Sequence, residues 1–470
     1  MLIGLFATAV SLIAIGTPSF WGDEVATIMS ATRTWPELWA MLGHVDAVHG
    51  AYYLLMHVWI DWFGAGPVSI RVPSAIGVGL AAAGVVTFVR QLRPTSLAVV
   101  AGVLFALLPR VHDLGGEARP YALTMAFAAW LLVAGQSAAR ANTAWRWLGY
   151  AVLLALGTIW FVYLPLLALS QLVVLAWMHP QIRRGTIAAL IGAGVAVSPF
   201  LLLAFGQRGQ LEWIASAGIN GPLNVLVSAW FAWWPMAVVG WALMMLALVR
   251  RPLSAVEGRR RTRDSLVLTA VATAFVPLLL LWLASIVAPV FAPRYLAMSL
   301  PSVAVLMALG LGELWSWRRA AGAVAAVIVL LLTVPVLISQ RASHAKHDSD
   351  WAELAALVQT SAQPGDGIIF DESGEPWFRP RLAMRGYPAG FDQVDDVLGT
   401  GLVAEDVWDT QVLSIDQADW LGKLGMYDRI WLVEHVGHPS EHERATLEGA
   451  GFRASETQLI HSTQLTLFTR

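Results

Sequence analysis

Apolar runs of roughly twenty residues, most of them closed by arginines, recur from the first residue to about 340 and leave the chain few ways to fold. A run of that length crosses a bilayer as a helix, because hydrocarbon tolerates only a backbone that satisfies its own hydrogen bonds. Spans are expected near 1–17, 67–89, 95–109, 120–138, 186–205, 223–249, 265–288, 296–315 and 320–338. Residues 147–178 must leave and return, as two short spans about a turn near Thr158–Tyr163. With the N-terminus inside, the inner connections hold fourteen arginines, including the basic segment Arg250 to Arg263, and the outer ones hold six. That is the positive-inside pattern. No Lys or Arg precedes residues 1–17 and no small-x-small cleavage site follows, so they are expected to stay as a first span.

The expectation is a polytopic α-helical membrane protein with about eleven transmembrane helices, residues 1–340, in the plasma membrane. Its hydrophobic content of 57% and charged content of 13% agree. Residues 341–470 differ sharply and hold the chain's two lysines, Lys346 and Lys423. Strand-like runs at Gly367–Phe370, Ile430–Val433 and Leu465–Phe468 alternate with helix-like runs at Asp350–Gln359 and Ser440–Glu448. A C-terminal α/β domain is expected, extracytoplasmic by the odd number of spans. It contains no Gly-rich phosphate loop and no nucleophile elbow. The chain has no cysteine, which excludes disulfides and thiolate chemistry. No basic patch with interleaved aromatics points to nucleic acid.

The polar residues that matter most follow the first span. Asp23 and Glu24 are adjacent there, and Asp46, His49, Gly50, Tyr52 and Tyr53 come further along the loop 18–66. Thr34-Trp35-Pro36-Glu37 looks like a helix start with Thr34 as N-cap, and 51–63 looks like a helix lying in the membrane interface. Carboxylates beside hydrocarbon are costly unless paired or wetted, so they are functional candidates. The outer connections add Arg110, His112, Asp113, Glu117, Arg119, Arg294 and Tyr295. Such a one-sided polar cluster suits a substrate that is half lipid and half polar. Asp23 or Glu24 would serve as the base for an acceptor hydroxyl, and Arg119 and Arg294 would hold an anionic leaving group. Asp46 and His49 offer two ligands to a divalent metal ion. The plainer roles are ion pairs for Glu117 and Arg119, a cap for His49 and an interfacial anchor for Arg294.

The acidic pair after the first span, EARPYAL at 117–123, PRYL at 293–296 and DSDWAELAALV…QPGDGII at 348–369 together resemble the GT-C glycosyltransferases. The chain is most similar to glycosyltransferase family 39, the protein O-mannosyltransferase and lipid A aminoarabinose transferase relatives. The resemblance covers nearly the whole chain. It implies a polyprenyl-phosphate sugar donor, inverting transfer outside the membrane, and an acceptor hydroxyl on a cell-envelope glycan, lipid or protein. It implies Asp23 as the catalytic acid position with Glu24 its neighbour, and Arg294 at a position suited to the donor phosphate. Asp46 and His49 fall where relatives carry an acid or a His-Pro pair; Gly50 stands here in place of the proline. The Ala-, Val- and Arg-rich, Lys-poor composition points to a high-GC actinobacterial source and favours mannose or arabinofuranose over aminoarabinose. Two other readings stay open: a flippase or transporter for lipid-linked sugars, and a non-catalytic envelope assembly protein. Mid-span charges would favour transport, since transporters place their polar groups at the midplane.

Overall fold

The computed structural model describes residues 1–211, 214, 221, 223–249, 257–403, 410–438 and 440–470. The expected basic connection lies outside them at 250–256, and so does most of the polar loop between 212 and 222. Helices stand at each of the eleven expected places, from Leu2–Leu12 to Arg319–Ser339. Among the described residues six are long and apolar enough to cross a membrane, or seven if the bent pair Thr95–Leu107 and Pro109–Gly115 is one span. Leu2–Leu12, Leu164–Met178 and Trp234–Val249 are apolar but short. An 11-residue helix such as Leu2–Leu12 rises about 17 Å, little more than half of the hydrocarbon core. The bend of 61° in the pair falls at Pro109. Proline lacks an N–H and disfavours the helical region for the residue before it, and Leu108 is accordingly extended.

Contacts divide the chain into two compact units, each discontinuous in sequence. The first comprises Met1–Ile15, Asp46–Tyr52 and Arg71–Ser339. It is helical, and its central element is the segment Pro293–Trp317, 94% buried against 17% for the peripheral Arg319–Ser339 helix. Small residues let helices approach closely there, as is usual where lipid removes the hydrophobic drive between helices. A Cβ on Gly310 would lie 1.8 Å from the Leu243 carbonyl oxygen, so the Trp234–Val249 helix crosses the central one at backbone distance. Buried hydroxyls add polar links: Thr273 and Ser302 Oγ atoms are 2.7 Å apart, and Ser299 donates to the Thr273 carbonyl at 3.1 Å.

The second unit comprises Gly16–Val45, Tyr53–Ile70 and Gln340–Arg470. Its sheet strands are β1 (Asp366–Phe370), β2 (Val394–Asp396), β5 (Arg429–His435), β6 (Arg453–Leu459) and β7 (Thr463–Thr469), in the order β2-β1-β5-β7-β6. A separate two-stranded piece is formed by β3 (Gly399–Val403) and β4 (Thr410–Val412). β1 runs parallel to β2 and β5, and β7 runs antiparallel to β5 and β6. With the helices Trp351–Ser361 and Glu441–Gly449 this is an α/β fold. The three expected strands and both expected helices are present, each within a few residues of its expected bounds.

Buried carboxylates tie this sheet together. Asp350 Oδ2 accepts from the N–H groups of His461, Ser462 and Thr463 at 3.1, 2.8 and 2.8 Å, and from the Thr463 hydroxyl at 3.0 Å. Glu434, wholly buried, accepts from Arg444 and from Gln464 Nε2. Arg381 is held between Glu372 and Asp396. Burial pushes its guanidinium pKa down, and the two carboxylates outweigh that, leaving it above its ordinary value.

The Gly16–Val45 segment contains the helix Trp35–His44, opened as expected by Thr34 and Pro36. Thr34 N–H and Oγ1 donate to Glu37 Oε2 at 2.9 and 2.7 Å, closing a capping box. Those bonds, the Thr34 hydroxyl first, hold the exposed Glu37 carboxyl below its usual range. Trp35, Trp39, Trp62 and Phe63 remain exposed along this helix and along Gly50–Phe63, the apolar surface expected of interfacial helices.

Asp350→Ala should destabilise the second unit by roughly 3 kcal/mol or more, because several bonds to one charged acceptor disappear and backbone donors are left buried. Thermal unfolding of the purified chain, followed by proteolysis of the C-terminal part, measures this. A melting curve equal to the parent's would refute the role given to Asp350.

Candidate active site

Asp23 and Glu24 occupy the first turn of the helix Gly22–Ala31. Acidic side chains there face the positive end of the helix dipole. Trp21, extended at φ −127 and ψ 172, is the N-cap residue. Glu24 N–H bonds back to the Trp21 carbonyl at 2.9 Å, and the Thr27 hydroxyl donates to the Asp23 carbonyl at 3.1 Å. Glu24 is fully buried and Asp23 half-buried, so one acid is enclosed while the other keeps access to solvent.

The segment leading into this helix is fastened to the C-terminal part of its own unit. Phe20 N–H donates to the Tyr387 hydroxyl at 2.8 Å, and the Ser349 hydroxyl donates to the Phe20 carbonyl at 2.6 Å. Ser19 N–H donates to the Ser343 carbonyl at 2.8 Å, and Ala352 N–H donates to Ser19 Oγ at 3.1 Å. The Trp21 ring stacks on His347 with centroids 4.2 Å apart. Gly22 is needed where it stands: a Cβ there would lie 2.1 Å from the Trp377 carbonyl oxygen.

The first unit brings together two of the sequence motifs. Tyr121 of EARPYAL and Arg294 and Tyr295 of PRYL meet, with the Arg294 guanidinium 5.7 Å from the Tyr121 ring centre. Tyr295 lies 6.4 Å from Tyr121, 6.1 Å from Phe161 and 5.5 Å from Tyr163, centroid to centroid. Pro293 opens the 3-10 turn Pro293–Ser299 that presents Arg294. Glu117 and Arg119 lie in the turn before the Tyr121–Ala141 helix, both nearly buried. The Ser74 hydroxyl donates to the Glu117 carbonyl at 2.6 Å and fixes that turn. Arg110 pairs with Asp113 at 2.6 Å within its own short helix. A cation framed by aromatic rings is a suitable seat for a phosphate joined to an apolar chain.

Asp46, His49 and Tyr52 also belong to the first unit. Asp46 takes the left-handed conformation, φ 56, which aspartate tolerates better than most residues. Its N–H and that of Ala47 donate to Gln210 Oε1 and Gln207 Oε1 at 3.2 and 2.9 Å. The turn Ala47–His49 follows, and Tyr52 is buried edge-on to Trp160 at 5.8 Å. Among the described residues no three His, Asp or Glu side chains gather as metal donors.

Solved structures share the fold. ArnT from Cupriavidus metallidurans bound to undecaprenyl phosphate aligns at a TM-score of 0.59 with 12% identity, over 99% of this chain and 97% of that one. Its apo state aligns at 0.58 with 12% identity and the same coverage. The archaeal oligosaccharyltransferase AglB from Archaeoglobus fulgidus, in complex with an inhibitory peptide and a dolichol-phosphate, aligns at 0.52 with 12% identity, over 92% of this chain and 69% of that one. The chain has the GT-C fold. No family model and no curated protein matches its sequence. Within the GT-C fold the sequence motifs at 117–123 and 293–296 are thus packing neighbours.

Several residues of these clusters carried no sequence signal. Tyr387, Ser349 and Trp377 hold the acidic helix from far along the chain. Gln207 and Gln210, just beyond the Arg183–Gly206 helix, accept from the N–H groups of Ala47 and Asp46. Phe161 and Tyr163 were visible as a turn between short helices, and the alignment of Tyr163 with Tyr295 was not.

Gly22→Ala should loosen the 19–22 segment from Trp377, since the clash is with backbone and cannot be relieved by a rotamer change. Hydrogen exchange by mass spectrometry should show faster exchange across residues 19–27 with little change in β5 and β7. Parental exchange at 19–27 would contradict the close approach.

Proposed function

We propose that this protein is an integral membrane glycosyltransferase that takes a sugar from a polyprenyl phosphate and transfers it, with inversion, to a hydroxyl of a cell-envelope glycan, lipid or protein. The observation that carries the reading is the acidic pair in the first turn of the Gly22–Ala31 helix, in a chain whose fold is that of ArnT bound to undecaprenyl phosphate. Mannose and arabinofuranose are the favoured sugars, from the composition. The active site and residues 341–470 are assigned to the outer side of the plasma membrane, from the arginine bias.

Asp23 is the base. Its half-buried carboxylate takes the proton from the acceptor hydroxyl as that oxygen forms its bond to the anomeric carbon. The bond from the anomeric carbon to the phosphate oxygen breaks, and the polyprenyl phosphate leaves with the electron pair from the opposite face, which gives inversion. Glu24 orients the helix start and balances charge from its enclosed position. Arg294, with Arg119, stabilises the phosphate as its charge develops, while Tyr121 and Tyr295 shield that cation from water. Glu117, Asp46, His49 and Tyr52 shape the site.

Asp23→Asn should lower transfer by about 10²-fold or more with donor binding kept, since general bases contribute about 10²–10⁴-fold. Glu24→Gln should cost less. The measurement is single-turnover transfer from short-chain polyprenyl-phosphate mannose and polyprenyl-phosphate arabinofuranose at matched protein amounts. Parental rates for both amide variants would remove the catalytic reading and favour the transport reading.

Arg294→Ala should weaken binding of the polyprenyl-phosphate donor roughly tenfold or more, the range expected when a charge-assisted contact is lost, while the protein still inserts and purifies. Unchanged donor affinity would leave Arg294 an interfacial anchor.

A further inference from the structure

A recess of ≈ 140 Å³ opens in the second unit beside the start of the Asp23 helix. A single water needs about 10–15 Å³ by the same kind of measure, so the space is about that of one sugar ring. Its floor is formed by Trp21, Ser349 and Trp351, all buried. Its walls are His347, Trp377 and Phe378, with His347 and Phe378 exposed to solvent at the rim. His435 and Ser462, both half-buried, close the far side with polar edges.

Three features mark the recess as built for a ligand. First, the wall residue His347 and its neighbour Asp348 are consecutive left-handed non-glycine residues, at φ 54 and 57. Each such residue costs of order 1–3 kcal/mol, and strain of this kind gathers at ligand clamps. Here it turns the His347 ring onto Trp21, 4.2 Å away, with Phe378 edge-on to the other side at 6.1 Å. Second, the walls are tied down from behind. Asp350 fixes the 461–463 turn that carries Ser462, Ser349 bonds to the Phe20 carbonyl, and Arg379 Nε donates to the Gly374 carbonyl at 3.2 Å, closing the loop that carries Trp377 and Phe378. Third, the lining is mainly aromatic, with imidazole and hydroxyl groups at its edges. Aromatic faces take the C–H face of a ring, and imidazole and serine can both donate and accept, as the hydroxyls of a sugar require.

We propose that this recess is the acceptor subsite, and that its occupant is a sugar ring of the acceptor glycan. The proposal rests on the transferase reading above and narrows it, choosing a carbohydrate acceptor over a peptide or a bare lipid. Trp21 makes the link to chemistry. It is at once the floor of the recess and the N-cap of the helix that bears Asp23, with only Gly22 between them. A ring seated in the recess therefore lies against the segment that, two residues along the chain, carries the base. The acceptor is positioned by the same short segment that carries the carboxylate, so ring and base keep their register when the segment moves.

The test uses the full-length protein in lipid nanodiscs and four probes: methyl α-mannopyranoside, methyl α-arabinofuranoside, their linear trisaccharides taken as a pair, and a Ser/Thr peptide. Saturation-transfer NMR reads binding. The expected result is transfer to at least one carbohydrate probe and none to the peptide. Phe378→Ala and His435→Ala, both at accessible positions, should each reduce that signal at least fivefold with an unchanged melting temperature. Trp377→Phe should restore more of it than Trp377→Ala. Asp23→Asn should bind the probe like the parent while failing to transfer sugar. No carbohydrate signal in the parent, or equal signal in the Phe378 and His435 variants, overturns the subsite whatever Asp23 does. Preferential binding of the peptide overturns it in favour of a protein acceptor. Carbohydrate binding at the recess together with parental transfer by Asp23→Asn would instead fault the catalytic assignment and leave the subsite standing.

Discussion

The hydrogen bonds that fasten Ser19 and Phe20 to Ser343, Ser349, Ala352 and Tyr387 decide where the acidic pair is. A ten-residue helix such as Gly22–Ala31 is too short to be stable alone in water. Its N-cap, Trp21, offers no side-chain acceptor for the first N–H groups. The order of its first turn therefore comes from tertiary contact: the stacked Trp21–His347 rings, the Trp377 backbone against Gly22, and Phe20 against Tyr387 at 5.0 Å. The C-terminal α/β part is thus the scaffold of the acidic helix, which gives a mechanical reason for its presence in the chain.

The helical unit solves a different problem with different means. It holds Arg294 by a buried core below and a frame of rings around it. The central Pro293–Trp317 segment is nearly all buried, so the turn at its start has little freedom. The Tyr121 ring covers one side of the guanidinium, and excluding water there strengthens any bond it makes to an anion. Rigid positioning by such packing is what electrostatic stabilisation of a leaving group requires.

Much of this was legible in the sequence where a local rule applied. Thr34 and Pro36 start a helix because their chemistry satisfies its first turn, and the short apolar runs at Ile430–Val433 and Leu465–Phe468 mark strands buried in a core. β6 escaped notice because its residues, RASETQL, lie mostly exposed at the sheet edge and show no apolar period. β2 is three residues long with two acids. The first apolar run looked like a span of seventeen residues, yet the helix stops at Leu12 and Ala14 turns left-handed. Of the site, the acids and arginines were visible as charges out of place. The residues that hold them, such as Tyr387 and Gln207, were not, because their partners are distant in the chain and leave no periodic trace.

The second unit is assembled from segments far apart in the polypeptide. The Gly16–Val45 segment leaves the ribosome well before its partners from Gln340 onward. At about 5–20 residues per second the delay is on the order of half a minute. During that time the acidic helix lacks the contacts from Ser343, His347, Ser349, Trp377 and Tyr387 that fix its first turn. A nascent chain that has inserted its helices still has no fixed Asp23, and a chain truncated before the sheet never acquires one. Synthesis through the sheet is in this way a condition for the carboxylates to be set in place.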